Sequence, residues 1–443
     1  MHIQRVIIKD FRCFEHLEVN LDPDINIFVG NNGSGKSALL DAIAAAMFPY
    51  VVQIQQIAGK RNRENSPVFQ RDLPVKQKGS ERKTKAEFTV SATEFPDWTI
   101  VYEKPFDDND NERIKIRISS SFTSQEGTKK LYSEMRNKWK NYYTLSNSEL
   151  SVIAYYKVNR HLTNIAYVKN VSPQFFDRFN SLNHAFDATH SFTDMANWFF
   201  VREFQELREA KKKGDINLEL PDLKQVRNAI SSILALKTNV YFSQIISANL
   251  MVDWTMETGE RRELLLSQLS TGYRNMLALV MDFARRLAQA NPDMENPLAA
   301  EAILMIDELD LHLHPTWQQR IIPDLKKVFP NTQIIATTYS PEVVTTVKQN
   351  QVWILEDYQI KPCPEPTKGR KSSDIVRNVL GLSELRPDTE ESRTLTRLFE
   401  AIDNGQLEEA KRLKQELQDW EAYDPDMTRA DMQIRRLERR NAV

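Results

Sequence analysis

The chain has 443 residues, enough for two or three domains and a large buried core, and 27% of them are charged. A formal net charge of −2 gives no global attraction for nucleic acid, so such a surface would have to be local; the runs at 60–63, 82–85 and 211–213 are the candidates, and a solvated loop or helix end is the commoner fate of such runs. A mean hydropathy of −0.51, no apolar run approaching the ~20 residues of a membrane span, no signal-like N-terminus and only two cysteines, Cys13 and Cys363, predict a cytoplasmic protein with no membrane partner and no disulfide framework.

In chain order, apolar runs predict strands at 3–8, 17–21 and 25–29. The third leads straight into GNNGSGKS, Gly30 to Ser37, and then a helical run over 36–47. Strand, glycine-bracketed loop and helix in that order form a triphosphate cradle. The glycines let the N–H groups of Asn31, Asn32, Gly33, Ser34 and Gly35 turn inward; Lys36 supplies a full charge to the β and γ phosphates, and Ser37 an oxygen for Mg²⁺. A polar stretch over 53–80 follows, then alternating strands at 86–92, 98–104 and 113–119 that pair with the N-terminal ones. The next part is mostly helical to about 234, broken by a strand at 152–156; Phe192, Trp198, Phe199 and Phe204 recur there at core-like helical spacing.

From about 240, strands at 249–254, 262–266, 302–306, 332–336 and 351–355 alternate with helices from 271 and over 315–328. After Pro362, Pro364 and Pro366, taken as a stiff linker, helices are predicted over 372–380, 389–403, 407–420 and 427–440. The expected architecture is α/β: a mixed, largely parallel sheet flanked by helices, an antiparallel β lobe, a helical insertion and a helical tail. Its expected divisions are 1–130, 131–238, 239–360 and 361–443.

The run Ile303-Leu304-Met305-Ile306-Asp307-Glu308 is a buried strand ending in two carboxylates, at the sheet edge where ligands bind. Asp307 is the candidate Mg²⁺ ligand beside Ser37. Glu308 is placed to orient or deprotonate an attacking water. His312 and His314 lack a third metal ligand of matching type nearby, and Pro315 fits the first turn of a helix.

Together these motifs resemble the ABC-type ATPases of the RecF and OLD-like branch, and the architecture then becomes an ABC-ATPase head. Leu269-Ser270-Thr271-Gly272-Tyr273-Arg274 is similar to the family's signature; the resemblance implies that Ser270 and Gly272 complete the phosphate loop of a second copy, with ATP between the heads. Asp310 matches the D-loop. Gln333 to Pro341 resembles the switch, with Tyr339 where a histidine is usual, which predicts binding with slow turnover because a phenol carries no positive charge at neutral pH. Asp10-Phe11-Arg12-Cys13-Phe14 resembles the family's N-terminal arginine element, implying that Arg12 contacts nucleotide or loop; Arg160 matches another recurring arginine more weakly, and Gln70 is the candidate glutamine-loop metal contact.

The pattern is most like the PtuA ATPases of Septu and retron-associated antiphage systems. That resemblance implies ATP and Mg²⁺, a homodimer or larger assembly, and a separate HNH nuclease partner, with nucleic acid a further candidate. Asp424 and Asp426 read as a turn and cap, not a nuclease site. The stripe Leu407, Ala410, Leu413 and Leu417 suits either partner docking or packing on the ATPase core. Three functions stay open: an ATPase governing a nuclease, a nucleotide-gated scaffold with little hydrolysis, and a RecF-like DNA-repair ATPase acting alone.

Overall fold

The computed structural model describes residues 1–57, 72, 85–95, 97–103, 115–120, 133, 137, 148–158, 160, 177–234, 238–243, 249–255, 258–382 and 385–441. They form two units, 1–375 and 376–443. Gln70, the basic runs at 60–63 and 82–85 and most of 131–176 lie outside the described residues.

The larger unit opens with a hairpin, β1 (Ile3–Phe11) and β2 (Phe14–Asn20), followed by the buried β3 (Ile25–Val29). Strand β2 starts three residues earlier than its apolar pattern predicts, because Phe14 pairs with Phe11 across the two-residue turn and both rings are buried. β4 (Lys85–Ala92), β5 (Trp98–Glu103) and β6 (Lys115–Ser120) extend the hairpin into the expected antiparallel sheet, of order β2-β1-β4-β5-β6.

A second sheet carries the site. β7 (Val152–Tyr156), β11 (Ala302–Ile306), β12 (Thr332–Thr337) and β13 (Val352–Glu356) join β3, with β8 (Thr238–Phe242), β9 (Leu250–Thr255) and β10 (Arg261–Leu265) forming a separate three-stranded sheet between β7 and β11 in sequence. The order is β14-β13-β3-β12-β11-β7, where β14 (Gln359–Pro362) is an antiparallel edge and the other five strands are parallel. Burial of every residue of β3, β7, β11 and β12 is what a parallel sheet covered on both faces requires. β14 has no counterpart among the predicted strands and ends at Pro362, the first proline of the predicted linker: Asp357 and Tyr358 both sit at positive φ and close a two-residue hairpin without the usual glycine signal.

Helix α1 (Lys36–Ile57) corrects the reading that no apolar run nears membrane length. Its Lys36–Gln55 stretch passes by length and composition, but it is almost wholly buried, packed against β12 on one side and β1, β4 and β5 on the other. Pro49 interrupts its hydrogen-bond ladder by leaving the Ala45 carbonyl without the amide donor four residues on. The Tyr102 hydroxyl donates to that carbonyl at 2.9 Å, and Trp98 Nε1 donates to the Ala46 carbonyl at 2.9 Å. The carbonyls beside the proline are therefore paired with donors from the antiparallel sheet.

Helices α2 (Ala188–Lys213) and α3 (Pro221–Leu234) bury Phe192, Trp198 and Phe199 as predicted, whereas Phe204 is exposed with Arg208 over its ring. Lys211, Lys212 and Lys213 fill the last turn of α2 before the left-handed Gly214, complementing the negative end of the helix. Glu203 of α2 accepts the Phe242 amide at 2.9 Å, and burial, joined by the nearby Glu206, pushes its carboxyl up to about 7. A folded pKa above the unfolded one means that stability falls as pH rises from ~4.3 to 7. Glu203→Gln, which keeps an acceptor for Phe242, is expected to stabilise the protein by about 1–3 kcal/mol at pH 8 and by nothing measurable at pH 4, read from thermal unfolding at the two pH values.

The signature-like turn leads into α4 (Thr271–Ala290). The predicted helix over 315–328 is broken into α5 (Pro315–Gln318) and α6 (Ile321–Val328), because Pro323 has no N–H to continue the ladder back to Gln319. Helix α7 (Pro341–Val344) follows β12, and α8 (Ser372–Asn378) runs across the division after residue 375.

The smaller unit contains α9 (Glu390–Asp403), α10 (Leu407–Glu416) and α11 (Pro425–Asn441). Ala410, Leu413 and Leu417 are buried there with Leu398, Met427, Ala430 and Ile434, and Leu407 packs against them. The stripe thus belongs to the tail's own core, an alternative that neither expected docking site included. Asp424 and Asp426 hold Arg386 at 2.8 Å each, and Asp424 accepts the Asp426 amide at 2.9 Å, so they close a turn.

Candidate active site

Register brings the chemistry together. Ile27 and Phe28 of β3 lie beside Ala336 and Thr337 of β12, and Ile306 of β11 lies beside Ala336 and Tyr156. Four strands therefore end level, and Gly30, Thr338, Asp307 and Lys157 leave the sheet at one edge. Parallel strands make this convergence unavoidable once the register is set.

Gly30, Gly33 and Gly35 all adopt positive φ, the conformations that the loop needs to turn its amides toward a phosphate. Lys36, nearly buried at the start of α1, donates from Nζ to the Gly30 and Asn31 carbonyls at 2.7 and 2.9 Å. Its Nζ also lies 4.0 Å from the centre of the Tyr339 ring, within cation–π range. Burial pulls the Lys36 pKa down, opposed by the fields of Asp307, Glu308 and Asp310. Asn31, Asn32 and Gly33 are exposed on the loop and Ser37 on the first turn of α1, whereas Ser34 Oγ is buried and has no hydrogen-bond partner among the described residues. A buried hydroxyl without a partner, in a loop whose three glycines adopt positive φ, fits a phosphate oxygen, and the Ser37 hydroxyl with the Asp307 carboxylate is an oxygen donor set suited to Mg²⁺.

Two side chains without an assigned role in the sequence reading orient the carboxylates. Thr337 donates from Oγ1 to Asp307 Oδ1 at 2.6 Å and accepts the Glu308 amide at 2.7 Å; Thr338 donates to Asp310 Oδ1, which also accepts the Tyr339 amide at 3.3 Å. Their only signal in the sequence is a pair of hydroxyls at the end of a buried strand. Glu308 sits at φ +48°, a left-handed conformation that costs a residue with a side chain about 1–3 kcal/mol. Burial raises its carboxyl pKa, reinforced by Asp307 and Asp310 and opposed by Arg160 and Lys36. A raised carboxylate next to a cation is suited to taking up a proton from water.

Arg12 is engaged by carboxylates: its guanidinium meets Asp41 of α1 at 2.8 Å and Asp72 at 3.0 Å, and Lys157 reaches Asp41 at 2.9 Å. Ser270 caps α4 by accepting the Tyr273 amide at 3.4 Å. A cavity of about 410 Å³ is lined by Ser270, Gly272, Tyr273, His312, His314 and Trp317 among others, with no phosphate-loop residue in its wall. A Cβ on Gly272 would lie 2.3 Å from the His312 carbonyl, so only glycine admits this approach of the signature-like turn to the segment after Asp310. His314 caps α5, accepting the Thr316 amide at 3.4 Å.

Comparison with known proteins agrees with this chemistry. The chain is 27% identical to the "Retron Vc95 probable ATPase" of Vibrio cholerae, over 94% of this chain and 86% of that protein. It is 25% identical to the "Retron Ec83 probable ATPase" of Escherichia coli over 89% of this chain and 79% of that protein, and 28% identical to the "Septu protein PtuA" of Bacillus thuringiensis over 44% and 50%. Residues 1–344 match the family model described as "AAA ATPase domain", and the chain belongs to that ATPase family.

Proposed function

We propose that two copies of this chain clamp MgATP between them, the Ser270 turn of one completing the Lys36 pocket of the other, and that the closed pair governs an HNH nuclease in cytoplasmic antiphage defence. The observation that carries this reading is the physical link between two separate half-sites. Asp310 is tied to Thr338 and Tyr339 at the pocket, and two residues later the His312 carbonyl abuts Gly272 at the signature-like turn. Closure at one end would therefore be felt at the other. Retron and Septu relatives support the defence setting. The residues assigned to the reaction are Lys36 on the β and γ phosphates, Ser37 and Asp307 holding Mg²⁺, which would draw charge off the phosphate oxygens, and Glu308 orienting the water. Sedimentation of Glu308→Gln is expected to give dimers with ATP and monomers without, Ser270→Arg and Lys36→Ala to stay monomeric, and a neighbouring HNH protein to co-purify. A chain that remains monomeric at saturating ATP overturns the clamp.

A second reading, a nucleotide-gated scaffold, is favoured by Tyr339. Burial, then Glu308 and its acidic neighbours, raise the phenol's pKa, so it can donate one hydrogen bond but offers no cation to a γ phosphate. Multiple-turnover phosphate release by the unmodified chain would exclude this reading.

A further inference from the structure

We propose that Arg160 is a positioning residue for hydrolysis: its guanidinium clamps the backbone at Asp307 and Glu308 and so aims the Glu308 carboxylate at the water. The inference rests on the reading of Glu308 given above. Arg160 lies four residues beyond β7, the strand that flanks β11, and is only 4% exposed. Burying a guanidinium is costly, and salt bridges are the usual compensation. Here the hydrogen bonds go to main-chain carbonyls: Nη1 to Asp307 at 2.6 Å and to Lys157 at 3.2 Å, and Nη2 to Glu308 at 2.8 Å. A planar fork suits two successive carbonyls, a geometry that a lysine cannot reproduce.

The turn that Arg160 holds is the strained one. The amide of Glu308 is fixed by Thr337 Oγ1, the amide of Leu309 by the Thr337 carbonyl, and the amide of Asp307 by the Tyr156 carbonyl. Those three contacts restrain the donor side of the turn and come from the adjoining strands. On the acceptor side Arg160 holds both carbonyls, and that of Glu308 also accepts the Leu311 amide at 3.1 Å. Without it, two carbonyls lose a charged donor and Glu308 at φ +48° is free to relax toward an ordinary conformation, which turns its side chain away from Lys36. Nothing in this arrangement places Arg160 on the phosphates, so its removal should leave nucleotide affinity alone. A cap that merely finished β7 would affect folding but not the rate per occupied site.

The test measures kcat, KM and the dissociation constant of a fluorescent ATP analogue for the full chain, Arg160→Lys, Arg160→Met and Glu308→Gln, with rates normalised to bound nucleotide. Arg160→Met is expected to lose about 10–100-fold in kcat with affinity within about threefold of the parent, and Arg160→Lys to recover part of the rate. Millimolar guanidinium, but not equal sodium chloride, should restore turnover to Arg160→Met. Parental kcat in Arg160→Lys and Arg160→Met, or a loss confined to ATP affinity, overturns the proposal. If Arg160→Met does not fold, the same kcat against affinity split in Arg160→Lys decides it. Parental turnover in Glu308→Gln would instead overturn the assignment of Glu308.

Discussion

Glu308→Gln is expected to slow ATP turnover by at least about 100-fold while leaving ATP affinity close to that of the parent. The amide keeps the volume of the carboxylate and the backbone contacts to Thr337 and Arg160, so the turn stays in place. What disappears is the group able to accept a proton from water, whose basicity burial and two acidic neighbours have raised. Phosphate release under multiple-turnover conditions, set beside equilibrium binding of a fluorescent nucleotide, separates the two effects. Equal losses in rate and affinity would mean that Glu308 holds nucleotide and does not act on the water.

Asp282→Asn is expected to destabilise the larger unit by about 3–5 kcal/mol, the usual consequence of leaving buried charge uncompensated. Asp282 is fully buried on α4, and Arg285 and Arg286 are 2% and 1% exposed. The carboxylate receives Arg286 Nε at 2.9 Å, Arg285 Nε at 3.2 Å, the Tyr156 hydroxyl at 2.7 Å and the Ser191 hydroxyl. Burial alone would raise its pKa, but Arg286 and Arg285 outweigh it and hold the group down at about 2. A depressed folded pKa contributes stability that is complete above the unfolded value near 4 and is lost as pH falls toward 2. Urea unfolding at pH 7 reads the destabilisation. The variant should also lose the stability decrease that the parent shows between about pH 4 and 2, and a variant as stable as the parent would show that the two guanidiniums find other partners.

This cluster also joins the signature-like helix to the strand beside the acidic one. Tyr156, whose carbonyl receives the Asp307 amide, donates its hydroxyl to Asp282. Loss of Asp282 therefore removes a contact between α4 and the sheet edge that bears the site, in addition to depriving Arg285 and Arg286 of their carboxylate.

The phosphate loop and the acidic strand end were legible because their chemistry is performed by consecutive residues. The left-handed turns at Gly30, Gly33 and Gly35, the cation of Lys36 and the paired acids at 307 and 308 depend on local spacing, and burial patterns one strand long identify β3 and β11. The largely parallel sheet and antiparallel lobe were legible for the same reason, as was the pairing of the N-terminal hairpin with the strands after 85.

The arrangement around those motifs depends on contacts that no local pattern encodes. Arg160 meets carbonyls 147 and 148 residues away, and Tyr102 pairs a carbonyl that Pro49 orphans 57 residues earlier. Leu413 could pack on any apolar surface until α9 and α11 supplied one. By itself the sequence determined which residues carry charge and which runs must be buried; tertiary structure decided which partner each received, because main-chain carbonyls and apolar faces accept many partners and only the folded register selects among them.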